Sequence, residues 1–382
     1  MTTIEVIVNY IGQQSPDEVP DTLDWDEVVV TAIVLGLGPL LHEALAQVDT
    51  GISPLAKAKL AVTRKAQAAR NKGIAQQLQQ LLAAFAGQSV EALVLKGALL
   101  APTVYPEAAL RPMNDIDLLF HPDDLPRVER VLESLGYQGK HKAAGQGPGV
   151  TKHLSTYRRR GEEGATPNPY LSAERDRMVE PHASLEESWF GLKINITPGI
   201  WQRALPVTLH DQPAYRLSNE DQLLHLAVHA VFHFIMGALV FLQLYDICRV
   251  VKVWGLSIDW EKLLLLSEQA GAQVFLYAGL YWSQQLYQAA IPETTLTTLA
   301  KQCPAYLLDY IHAFDAARIL RQTQQPPLTT LPQRLRRGLQ DREEAARWAG
   351  SPMAKWKVWQ TALAFHKTDT AAMLKKSFEV QA

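Results

Sequence analysis

Asp115 and Asp117 stand two residues apart in the run Asp115-Ile116-Asp117-Leu118-Leu119-Phe120. In an extended chain that spacing puts both carboxylates on one face. Like charges held side by side are costly unless a cation sits between them or one is protonated. Mg²⁺ meets that need, because it takes hard oxygen ligands and keeps positions for phosphate oxygens. Upstream, Lys96-Gly97 follows the apolar run Leu93-Val94-Leu95 and precedes Ala98-Leu99-Leu100, a pattern of strand, tight turn and helix. A helix N-terminus offers open N–H groups and a positive dipole end to phosphate. Gly97 would let the backbone approach closely, and Lys96 adds a point charge. Together these groups could hold a nucleoside triphosphate for in-line attack on a phosphoryl group, with metal on both attacking and leaving oxygens. A lone D-x-D or K-G is common by chance; the joint order strand, Lys-Gly, helix, strand, D-x-D is what carries information.

The surrounding pattern supplies elements to position these groups. Residues 22–86 read as helical, with Gly87 as the stop. A helix over about 122–135 follows the D-x-D strand, opened by Pro122 and closed by Gly136, with Leu125, Val128, Val131, Leu132 and Leu135 on one face. Residues 138–178 are rich in Gly, Pro and charge and read as loop, with a strand through Lys152–Arg158. Met178–His182 and Val207–Leu217 read as further strands. Ser218-Asn219-Glu220-Asp221 resembles a capping box, and from there the chain is helical, with breaks at Gly255, Pro292, Pro304, Pro326-Pro327 and Pro352. The expected fold is α+β: a small mixed-sheet core over residues 90–217, between an N-terminal helical segment, 1–89, and a C-terminal helical domain, 218–382.

Glu180 is the best third acid, sharing a face with His182 on the Met178–His182 strand; Asp176 competes from a loop-like context. Pro181 lacks a ladder donor and suggests an edge strand or a bulge. His225, His229 and His233 fall at i, i+4 and i+8, one helix face. Zinc needs a third ligand that is not nearby, so these read as core or cleft-lining histidines, with Asp246 as a partner for one. Arg158-Arg159-Arg160, the Arg334, Arg336 and Arg337 group, and Lys355 and Lys357 among Trp356 and Trp359 could touch phosphate or RNA. Asp341, Glu343 and Glu344 favour a solvated helix face for the second group.

The chain has 382 residues, 47% hydrophobic and 20% charged, with a formal net charge of −2. That balance gives no global attraction to nucleic acid or anionic membrane. Cys248 and Cys303 are too few for a disulfide framework and read as buried thiols in a reducing cytosol. The first residues lack a signal-peptide pattern. The apolar runs Val28–Leu41 and Phe234–Leu244 fall short of the ~20 residues a membrane span needs. A cytoplasmic protein without membrane contact is expected.

The stretch from Leu93 to Phe120, LVLKGALLAPTVYPEAALRPMNDIDLLF, resembles the uncharacterised nucleotidyltransferase family of the DNA polymerase β-like superfamily. The family pattern of L-K-G, a tyrosine, then R-x-x-x-D-I-D-L-L falls on Leu95-Lys96-Gly97, Tyr105 and Arg111 through Leu119. A second pattern, E-D-x-L-L-H-x-x-x-H and a later Y-D-I, falls on Glu220–His229 and Tyr245–Ile247. The resemblance implies Mg²⁺-dependent transfer of a nucleotidyl group from a nucleoside triphosphate to an acceptor: a protein, an RNA end, a sugar phosphate or a small molecule. It implies catalytic and metal-binding roles for Asp115, Asp117 and Glu180 around two Mg²⁺ ions. Nucleotide contacts are implied for Lys96, Gly97, Arg111 and His229. The superfamily's usual Gly-Ser is replaced by Lys96-Gly97-Ala98, so a phosphate-touching serine is missing, and the gap to the aspartates is longer than in minimal members. The rival expectation is a non-catalytic relative that keeps the fold as a binding or antitoxin-like module.

Overall fold

The computed structural model describes residues 1–13, 23–46, 52–140, 156–159, 178–323 and 329–363. Asp176, Arg160, the stretch before Thr156 and the Pro326-Pro327 break lie outside these residues. The chain opens with helices α1 (Thr3–Ile11), α2 (Trp25–Val34), α3 (Gly38–Leu45) and the long α4 (Pro54–Ala86). Ser53 caps α4 through its side chain and Pro54 sits at its first turn. There follow β1 (Leu93–Val94), α5 (Lys96–Thr103), β2 (Asp115–Leu119), α6 (Leu125–Ser134), β3 (Tyr137–Lys140), β4 (Thr156–Arg159) and β5 (Met178–His182). A separate hairpin, β6 (Glu186–Trp189) and β7 (Leu192–Asn195), precedes the short α7 (Ile200–Arg203) and the pair β8 (Leu205–Leu209) and β9 (Gln212–Arg216).

The remaining described elements are helical: α8 (Asn219–Ile235), α9 (Phe241–Trp254), α10 (Trp260–Gln269), α11 (Gln273–Tyr287), α12 (Glu293–Gln302), α13 (Ala305–His312), α14 (Ala316–Thr323), α15 (Leu331–Trp348) and α16 (Pro352–Leu363). Ser218 caps α8, its hydroxyl accepting from the Asp221 N–H at 3.1 Å, and Pro292 and Pro304 stand at the N-caps of α12 and α13.

Seven strands form one mixed sheet in the order β3-β4-β5-β2-β1-β9-β8. Period-2 alternation divides its residues between two cores. Ile116 and Leu118 of β2, Val94 of β1 and Val179 of β5 face α4 and α6 in one cluster, with Phe85, Phe120 and Val128. Leu93 and Leu119, on the other face, join a second cluster with helices from both ends of the chain, including Leu100, Leu226 and Phe232. Fully burying each such aliphatic side chain stabilises by roughly 1.5–3 kcal/mol, so β2 is anchored from both sides.

Three local expectations change. Val207–Leu217 is a hairpin rather than one strand, because His210 and Asp211 both adopt positive φ, 49° and 63°, and form a two-residue turn between Leu209 and Gln212. Tyr137–Lys140 is a strand paired with β4, in a region expected to be loop. β5 is internal, between β2 and β4, although it carries Pro181. Phe120 N–H donates to His182 O, so the neighbouring residue, Pro181, turns its missing donor toward β4. Among the described residues the β4 pairing there is Tyr157 with Val179. No helix among the described residues is long and apolar enough to cross a membrane. Cys248 and Cys303 are buried and unbridged.

Candidate active site

β2 and β5 run parallel, with Asp115 opposite Met178, Asp117 opposite Glu180 and Leu119 opposite His182. Parallel partners share a face, so Asp115, Asp117, Glu180 and His182 all project from one side of the sheet. Ligand atoms of Asp117, Glu180 and His182 lie within 4.8 Å of one another. β1 ends beside this group, with the Leu95 N–H donating to Asp117 O. The next residue, Lys96, takes a positive φ of 45°, a costly conformation for a side chain of that size, and starts α5 with its ammonium aimed at β2.

Asp117 is the hub. Its Oδ1 accepts from Lys96 Nζ at 2.9 Å and lies 2.8 Å from His182 Nε2, and the side chain is only 2% exposed. Burial alone would raise the Asp117 carboxyl, but the Lys96 and His182 charges outweigh it and hold it far below the usual carboxylate range. Burial opposes the Lys96 charge in turn, and Asp117, Asp115 and Glu180 overcome that and raise it. Asp115 fares differently. Burial, then the neighbouring Asp117, push its carboxyl up to about 7. Thr156 donates to Glu180 at 3.4 Å.

A second charged cluster lies next to it. Arg111 grips Asp246 of α9 with two donors, Nε to Oδ1 at 2.9 Å and Nη2 to Oδ2 at 2.7 Å. The Tyr105 hydroxyl donates to the same carboxylate at 2.7 Å, and this buried phenol is raised well above its ordinary range, first by burial and then by Asp246. Asp246 was expected beside a histidine; it is instead the clamp that fixes the loop before β2. The other end of that loop is held by α4, where the buried Asn71 amide donates to the carbonyls of Ala108 and Arg111 and Gln67 donates to Asn71 at 2.7 Å. Gly97 has a packing reason as well: a Cβ there would lie 3.2 Å from Arg111 Nη1 and Met113.

A cavity of about 460 Å³ opens over these groups, bordered by Lys96, Gly97, Arg111, Asp115 and Glu180 and, from α8 and α9, by His229, His233 and Asp246. The histidine ladder holds its expected face, with ring centroids 5.9 Å apart for His225 and His229 and 4.2 Å for His229 and His233. His229 Nδ1 meets Glu187 of β6 at 3.0 Å. Sequence reasoning did not single out Glu187 or the β6–β7 hairpin, whose turn is made by Phe190 and Gly191 with φ of 43° and 82°, a dipeptide that gives only a weak turn signal. Larger cavities of about 640 and 600 Å³ lie elsewhere, the first walled mainly by small apolar residues and the second by no acidic side chain. Chemistry rather than size selects the site. Of the Arg334, Arg336 and Arg337 group on α15, Arg337 pairs with Asp341 at 2.8 Å, and further along the same helix Arg347 pairs with the buried Glu344 at 3.1 Å.

No curated protein gives a significant match to the chain. The solution structure of the antibiotic-resistance factor ANT(2'')-Ia is similar over 54% of this chain and 94% of its own, at 13% identity and a TM-score of 0.35, too distant to inform the chemistry. The profile of the uncharacterised nucleotidyltransferase family, by contrast, matches residues 21–288, from ahead of α2 to just past α11, and the chain belongs to that family.

Proposed function

We propose that this chain transfers a nucleotidyl group from a nucleoside triphosphate to an acceptor, using Mg²⁺ held by Asp115, Asp117 and Glu180. The observation that carries the reading is that Asp115, Asp117 and Glu180 share one face of β2 and β5 beside the start of α5, with ligand atoms of Asp117, Glu180 and His182 within 4.8 Å of one another. The donor set is hard oxygen, which suits Mg²⁺. Asp115, pushed up to about 7 by burial and by Asp117, is a carboxyl whose ionised form calls for a nearby cation. Two ions would fit the chemistry of the superfamily; when bound, the metal neutralises phosphate charge and aligns attacking and leaving oxygens.

The chain's own residues do the rest. Lys96 fixes Asp117 through Oδ1 and presents its remaining donors to the cavity, where they meet the triphosphate. The missing serine of the wider superfamily is thereby offset by an ammonium held at the same turn. Arg111 is already neutralised by Asp246, so it contributes shape and hydrogen bonds at the cavity edge more than net charge. Gly97 keeps the α5 entrance close to Arg111 and Met113.

The test is to incubate the protein with α-labelled ATP, GTP, CTP and UTP in turn, with Mg²⁺ and cell extract, and to follow the label. One of the four labels should move onto an acceptor and chelation should stop it; failure of all four to move would end the reading.

A further inference from the structure

α9 carries a second set of polar residues, turned away from the candidate active site. Tyr245, Arg249 and Lys252 fall at i, i+4 and i+7, one stripe of the helix. Asp246, next to Tyr245, borders the active-site cavity, whereas Tyr245, Arg249 and Lys252 border two others, of about 600 and 390 Å³. Those two also share Ile11 and Gln13 at the end of α1, so the cations stand where they meet.

Arg249 is only 8% exposed. A guanidinium so placed is normally paired with a carboxylate, as Arg111 is with Asp246. Among the described residues Arg249 has no such partner. Its Nε and Nη2 both donate to the Val104 carbonyl, at 3.0 and 2.5 Å, and it lies 5.8 Å from the centre of the Tyr105 ring; both partners are neutral. Lys252 is exposed and likewise has no ion pair among the described residues. Both charges reach the thiol of Cys248, which burial raises and Arg249 and Lys252 lower. No acidic side chain among the described residues borders the larger cavity. Glu43, at the rim of the smaller one, is exposed and lies 3.9 Å from Arg64.

Two cations without counter-charge on one cavity wall favour a dianion. A phosphate monoester carries nearly that charge at neutral pH, whereas a carboxylate carries one. The opposite wall is apolar and aromatic, with Leu256, Trp260 and Pro292, and a cavity of about 600 Å³ lies in the range that takes a small organic molecule. We propose that this cavity binds a phosphate monoester of a small organic molecule, with Arg249 and Lys252 on the phosphate and Leu256, Trp260 and Pro292 against its body. Tyr245 adds a donor: burial raises its phenol against the opposing Arg249 charge, so it keeps its proton at neutral pH. The site stands apart from the transferase chemistry and does not depend on it.

The experiment titrates the full chain, without Mg²⁺, with phenyl phosphate, inorganic phosphate and phenol in a calorimeter. Phenyl phosphate binds, inorganic phosphate binds about tenfold more weakly because it lacks the apolar body, and phenol does not bind. Lys252→Ala weakens phenyl phosphate about three- to tenfold, and Lys252→Glu and Arg249→Gln abolish its binding. Added salt weakens wild type more than Lys252→Ala. Lys252 is exposed, so its variants keep the test valid even where Arg249→Gln does not fold. Lys96→Ala, in the active-site cavity, binds phenyl phosphate as wild type does. No binding of phenyl phosphate to wild type, or binding unchanged in Lys252→Glu, overturns the site. Loss of binding in Lys96→Ala places the probe in the active-site cavity and overturns it equally. Inorganic phosphate as tight as phenyl phosphate overturns the organic body, and phenol as tight overturns the anion.

Discussion

Two buried charge clusters flank Gly97, and they are built to opposite ends. Around Asp246, one carboxylate meets a two-pronged guanidinium and a phenol, and every strong donor has an acceptor. Around Asp117, one lysine and one histidine serve a hub beside two further carboxylates, and Asp115 is pushed up to about 7. The first cluster is closed and ties α9 to the loop before β2. The second crowds Asp115, Asp117 and Glu180 on one face of the sheet and raises one of them, and that perturbation separates it from a clamp made of the same residue types.

Substitutions should separate the two. The largest effect is expected for Asp117→Asn, a loss of at least about 10³-fold in label transfer, or about 4 kcal/mol in the barrier. Unlike a substitution that merely relieves repulsion, it also strands Lys96 and His182, so chemical denaturation should show a loss of roughly 1–3 kcal/mol; a variant as stable as wild type would contradict the hub. Asp246→Ala should cost about 3–5 kcal/mol in stability by leaving Arg111 buried without its partner, measured by urea unfolding. A cost under about 1 kcal/mol would mean that the clamp is not one. Lys96→Ala should raise the nucleotide KM about tenfold, and an unchanged KM would take its ammonium off the phosphates. The smallest stability effect belongs to Asp115→Asn, which should be neutral or stabilising by up to about 1 kcal/mol because it removes a like charge, while abolishing transfer. Destabilisation by that variant would show Asp115 to be structural.

Much of the site was legible because it is local. The alternation in Asp115–Phe120 predicted which carboxylates share a face, the turn at Lys96 was marked by Lys-Gly between two apolar runs, and the Glu180–His182 spacing placed the histidine beside the acid. Tyr105, Arg111 and Asp246 sat in two motifs far apart in sequence, and only folding shows that they are one cluster. What stayed hidden was mostly non-local or polar. The middle of α4's inner face buries Gln67, Arg70 and Asn71, which interrupts the apolar stripe that Ile74, Leu78, Leu81 and Phe85 carry further along. Tyr137–Lys140 carries a glycine and no β-branched residue, and becomes a strand only because β4 pairs with it. His210-Asp211 and Phe190-Gly191 turn hairpins by accepting positive φ at residues that do not advertise a turn as Asn-Gly would.

The central claim is that the α-phosphoryl group moves. The most direct measurement gives the protein, Mg²⁺ and an acceptor-containing extract the same nucleoside triphosphate labelled either at the α- or at the γ-phosphorus, with Asp117→Asn run alongside. The account predicts α-label on the acceptor, γ-label in pyrophosphate, and neither with the variant. Label from the γ-position on the acceptor, or α-label transfer that survives the loss of Asp117, would contradict it.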